Sequence, residues 1–131
     1  MLSKNATSVI EKANELLPSE PGMSVQDLQD KAAQFLLTVA KLASERRTLE
    51  QALLKAQSVE KATYAHVLFK TEAKTVKEKE IIADADPHVL QANEAAGELK
   101  SDITYVATCI DIFKNGHLLY RQSLRSEQDE S

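Results

Sequence analysis

From Met23 to Asp86 the chain contains neither glycine nor proline, and its apolar residues return at steps of three and four. An unbroken stretch of that length with that period has one economical solution, a long α-helix with a single apolar seam. The seam runs through Val25, Leu28, Ala32, Phe35, Val39, Leu42, Arg46, Leu49, Leu53 and Ala56. After Ala56 the apolar positions become Val59, Ala62, His66, Phe69, Ala73 and Val76, so two steps of three fall together. Such a displacement overwinds a coiled coil locally or rotates the helix toward another partner. A mild bend and a change of partner near residue 57 both fit.

The pattern then breaks. Thr71 and Thr75 are both candidate N-caps, and Thr75-Val76-Lys77-Glu78 fits a capping box, with a short helix expected to about Ala83. In Asp84-Ala85-Asp86-Pro87, Asp86 reads as an N-cap and Pro87 as the first helical residue, where a missing N–H costs nothing. The following helix carries Val89, Ala92, Ala96, Leu99, Ile103, Val106, Ile110, Phe113, His117, Tyr120 and Leu124, again at steps of three and four. Near the start, Val9, Ala13, Leu16 and Leu17 give a thinner apolar face, which Pro18-Ser19-Glu20-Pro21-Gly22 ends; Ser24 is the next N-cap.

The expected fold is therefore all-α, a long antiparallel helical hairpin with heptad seams plus a short N-terminal helix. One domain, 1–131, comprises a short helix at 3–17, a linker at 18–23 and a long helix at 24–70. A hinge with a short helix follows at 71–86, then a long helix at 87–125 and an acidic tail at 126–131, read as a disordered solubilising end. Leu36, Leu37, Ala40, Ala43, Leu118 and Leu119 lie beside the seams, and covering them calls for self-association.

Charge narrows the function. Residues 1–70 carry nine Lys/Arg against eight Asp/Glu, and residues 71–131 carry seven against twelve, so an anion-binding surface must be a local patch. One cysteine, Cys109, excludes an intramolecular disulfide and reads as a buried structural thiol. No run of about 18 apolar residues suggests a membrane span, and Met1-Leu2-Ser3-Lys4-Asn5 does not open a signal peptide, which makes a cytoplasmic setting the expectation.

No catalytic set stands out, so a non-enzymatic protein is expected. His66, His88 and His117 are far apart and outside metal-ligand spacing, and there is no glycine-rich phosphate loop; no metal or cofactor is called for. Lys70, Lys74 and Lys77 are spaced four and three apart, a row that one continuous helix would place on a single face. Such a row can follow a phosphate backbone, although Glu72, Glu78 and Glu80 interleave and an ion-paired surface is the alternative. A second basic cluster is Lys114, His117, Arg121 and Arg125. Arg46 occupies a seam position and either snorkels or lines an opening. Only Tyr64, Tyr105 and Tyr120 offer stacking surfaces for bases, too few for sequence-specific readout.

From Tyr64 onward, with Thr71-Glu72-Ala73-Lys74-Thr75-Val76, Asp84-Ala85-Asp86, Tyr105, Ile110, Phe113 and the Lys114-Asn115-Gly116…Tyr120-Arg121 end, the chain resembles the UvsY-type recombination mediators of tailed bacteriophages. The resemblance covers about half of the chain. It implies a protein that binds single-stranded DNA and helps a RecA-like recombinase displace single-strand-binding protein, in the host cytoplasm. It also implies a ring-shaped homo-oligomer assembled through the C-terminal helix, here Ile103, Val106, Ile110, Phe113, Tyr120 and Leu124. The family's Lys-x-Arg DNA motif is matched by Lys61-Ala62-Thr63 or Lys55-Ala56-Gln57, both without the arginine, so the expected contacts are Lys61, Lys70, Lys74, Lys77 and Arg121. The competing reading is a coiled-coil assembly or adaptor protein that touches no nucleic acid.

Overall fold

The computed structural model describes residues 2–14 and 24–130, with backbone alone for 127–130. The linker read at 18–23 lies outside the described residues, as do Leu16 and Leu17. The fold is all-helical, with α1 at Lys4–Asn14, α2 at Val25–Lys70, α3 at Val76–Asp84 and α4 at Pro87–Glu130, and with α2 packed against α4. The starts follow local chemistry. Ser3 Oγ accepts the Ala6 N–H at 3.1 Å, and Ser24 Oγ accepts the Asp27 N–H at 3.2 Å. α4 continues to Glu130, so the acidic stretch read as a disordered tail is helical.

Two compact units are present, one formed by residues 48–103 and the other by 2–47 with 104 onward. The second holds more of the buried apolar residues. Phe35 of α2 is fully buried, with its ring 5.9 Å from Phe113 and 5.4 Å from Tyr120 of α4, both themselves buried. Such pairs add about 0.5–1.5 kcal/mol beyond the area they bury. Leu28, Ala32, Leu42, Val106 and Ile110 extend this core along the expected seams, and Cys109 is buried as a thiol. His117 donates its Nδ1–H to the Ala32 carbonyl at 2.9 Å, the half-buried, hydrogen-bonded role expected of a seam histidine. Arg46 is exposed, so its seam position opens to solvent within the chain. α1 buries Ala6, Ile10 and Ala13, while Val9 is only half buried. Alanine at position 6 is small, and a pattern read from larger residues passes over it.

The unit at 48–103 corrects the expected slip. Val59 is 55% exposed, Phe69 88% and Val76 72%, and Ala62 and His66 are exposed as well. Burial instead continues from Leu49 through Leu53, Ala56, Glu60, Thr63 and Val67, at the same alternation of four and three. From Leu49 onward the heptad does not break. Glu60 and Thr63, both half buried, occupy it, so counting only apolar side chains created the displacement. Ala83 of α3 and Val89 and Ala96 of α4 complete the buried set here.

Candidate nucleic-acid interface

The hinge is made by side-chain oxygens. Thr71 follows α2 directly, its N–H and its hydroxyl both donating to the Val67 carbonyl, at 3.0 and 2.6 Å, the same back-bond that Thr38, Ser58 and Thr108 make inside helices. Thr75 then caps α3 from an extended conformation (φ −129°, ψ 156°), its Oγ1 accepting the Glu78 N–H at 3.1 Å. Glu78 reaches back to accept the Lys74 N–H at 3.3 Å, a capping box shifted by one residue. Of the two candidate threonine caps, Thr75 is the one used. At the far end Asp86 Oδ1 accepts the N–H of His88 at 2.8 Å and of Val89 at 3.4 Å, which opens α4 at Pro87 as expected.

These bonds decide where the lysines stand. Lys70 is the last residue of α2, Lys74 lies in the break and Lys77 sits in the first turn of α3. They are therefore not a row on one helical face, because the helix that would align them stops at residue 70. All three are exposed and share one short connection. Glu78, one of the interleaved acids, is committed to the cap. Glu80 and Asp84 act on Tyr64: desolvation, then the charges of Asp84 and Glu80, then a hydrogen bond with Asp84 push its phenol above the usual 10.0.

Phe69 was missed by reading it into the displaced seam. It is the most exposed large apolar residue of the described chain and directly precedes Lys70. The unbroken heptad would have placed it outside the core. An aromatic ring beside lysines is the combination that holds unpaired bases and their phosphates.

The other expected contacts are dispersed. Lys61 is exposed on α2 and lines an open cavity of about 530 Å³ that also holds Glu60, Tyr64 and Asp84, so it shares its surroundings with two carboxylates. Arg121 is exposed on α4 in the unit containing residues 104 onward. Of its basic cluster, His117 is engaged with Ala32.

The residues expected to carry assembly are occupied inside the chain. Val106, Ile110, Phe113 and Tyr120 are buried, and Ile103 and Leu124 are half buried. The apolar side chains of α4 left exposed are others, including Ile112, Leu118 and Leu119. Among the described residues no group of three or more His, Cys, Asp or Glu could hold a metal ion, and no helix is long and apolar enough to cross a membrane. Compared with known proteins, the chain matches no family model, no curated sequence and no solved structure.

Proposed function

We propose that this chain is a non-enzymatic recombination mediator that binds single-stranded DNA without sequence preference, self-associates, and helps a RecA-like recombinase replace single-strand-binding protein. The observation that carries the DNA contact is the hinge, where exposed Phe69 and exposed Lys70, Lys74 and Lys77 flank one capped turn. The lysines supply phosphate contacts and the ring a stacking surface that accepts any base. One copy makes few contacts, and self-association multiplies them along a strand. The recombinase and the displaced protein come from the resemblance of residues 64–121 to the phage mediators.

Fluorescence anisotropy with a labelled oligonucleotide across a salt series tests this. Lys70→Ala/Lys74→Ala/Lys77→Ala should flatten the log–log salt slope by about 2, at about 0.7 per single-strand phosphate contact. Phe69→Ala should cost about 1–3 kcal/mol of binding with the slope unchanged. No binding at about 50 mM salt, where electrostatic attraction is strong, would refute the mediator reading.

A second reading, a coiled-coil assembly or adaptor protein without nucleic acid, has its own support in the exposed Leu36, Leu37, Leu118 and Leu119. The same titration separates the two. An assembling protein with no affinity for the oligonucleotide would be the adaptor.

A further inference from the structure

Between α1 and α2, within the unit formed by residues 2–47 and 104 onward, lies an open cleft of about 370 Å³. Asn5, Ser8 and Lys12 line it from α1, and Gln34 and Lys41 from α2. On α1 the lining runs from Asn5 through Lys12 to Ala13 and on α2 from Gln34 to Lys41, about two turns each. No aspartate or glutamate is among the described residues of its lining. Thr38 closes part of the wall with its hydroxyl already spent on the Gln34 carbonyl at 2.8 Å. Val9 and Leu37 add apolar surface.

Two lysines lining one cleft, with no carboxylate among the described residues of its lining, give it a local excess of positive charge, which favours an anion. The lining is rich in donors, since each lysine brings three, each amide two and Ser8 one. A phosphodiester takes several at once and sets its sugar against Val9 and Leu37. The volume is at the small end of ligand sites.

We propose that this cleft holds the phosphodiester backbone of a single strand, a second anchor that adds to the hinge. The inference rests on the DNA-binding reading of the hinge, and it draws on residues outside both basic clusters of the sequence. Neither Lys12 nor Lys41 stands in a run of basic residues; they line one cleft because α1 lies on α2.

The test uses the full chain, a labelled oligothymidylate and anisotropy across a salt series. Lys12→Gln/Lys41→Gln should lower the salt slope by about 1.4, at about 0.7 per lost contact, with helicity and thermal midpoint unchanged. Lys12→Arg/Lys41→Arg should keep the slope, because the charge and not the packing is needed. An unchanged slope in the Gln variant beside a flattened one in the hinge triple variant would overturn the cleft alone. Loss of slope in the Arg variant would also overturn it, by making the lysines structural. Failure of the unsubstituted protein to bind would sink hinge and cleft together. Inorganic phosphate titrated at constant ionic strength should leave the oligonucleotide bound; displacement would put a free phosphate ion in the cleft and refute the backbone.

Discussion

A Cβ added to Gly116 would stand 3.2 Å from Cζ of Phe35, closer than ordinary van der Waals contact. Phe35 cannot yield easily, because Phe113 and Tyr120 are stacked or tilted against the same ring. Glycine in a helix interior costs about 0.5–1 kcal/mol relative to alanine, so this one is kept for the approach it allows.

Gly97 is the internal control. It lies on the same helix with nothing within 4 Å of an added Cβ. Gly97→Ala should stabilise by about 0.5–1 kcal/mol, and Gly116→Ala should destabilise by about 1 kcal/mol as overpacking outweighs propensity. Urea unfolding followed by circular dichroism reads both. Stabilisation by both would mean that the ring moves freely.

Removing the Thr75 hydroxyl leaves the Glu78 N–H without its acceptor. Thr75→Ala should cost about 1 kcal/mol locally, and Thr75→Ser should restore most of it. Amide exchange at Glu78 should then speed up about fivefold in the alanine variant. Unaltered exchange would mean that tertiary packing, not the cap, sets the start of α3.

Self-association is tested at Leu118 and Leu119, which are 51% and 53% exposed. Leu118→Glu/Leu119→Glu should reduce the mass in sedimentation velocity with helicity retained, because charge would then be placed in a covered apolar surface. Ile110→Asp answers a different question. Ile110 is buried within the chain, so that substitution should unfold the protomer. An assembly that survives the double glutamate variant would put the contact elsewhere.

Tyr64 predicts an alkaline difference. Its folded phenol titrates above the usual 10.0, owing to desolvation, then the charges of Asp84 and Glu80, then the hydrogen bond with Asp84. The unfolded phenol ionises first as pH rises, so this stability is present below about pH 10 and is lost above it. Tyr64→Phe should lose stability less steeply than the unsubstituted protein in that range. Parallel curves would mean that the phenol does not feel Asp84.

The last helix was legible along its seam, though not at its end, because each seam position is apolar or histidine, so period and burial coincide from Val89 to Leu124. Ser24, Thr75 and Asp86 were legible for another reason: capping is local chemistry and needs no partner. The second half of α2 was not, since Glu60 and Thr63 hold seam positions with polar side chains. The same error hid Phe69. The α1–α2 cleft left no mark on the sequence, because Lys12 and Lys41 belong to different helices and only packing brings them to one opening.

The turn at 71–75 has no glycine or proline to force it, and neither does any position from His66 to Asp84. Two side chains, those of Thr75 and Glu78, define where α3 begins. Substituting both with alanine would remove the cap that starts α3, in a stretch whose Lys, Glu and Ala otherwise favour helix. The turn from α2 into α3 is thus held by a small set of oxygens and by no residue that forbids a helix.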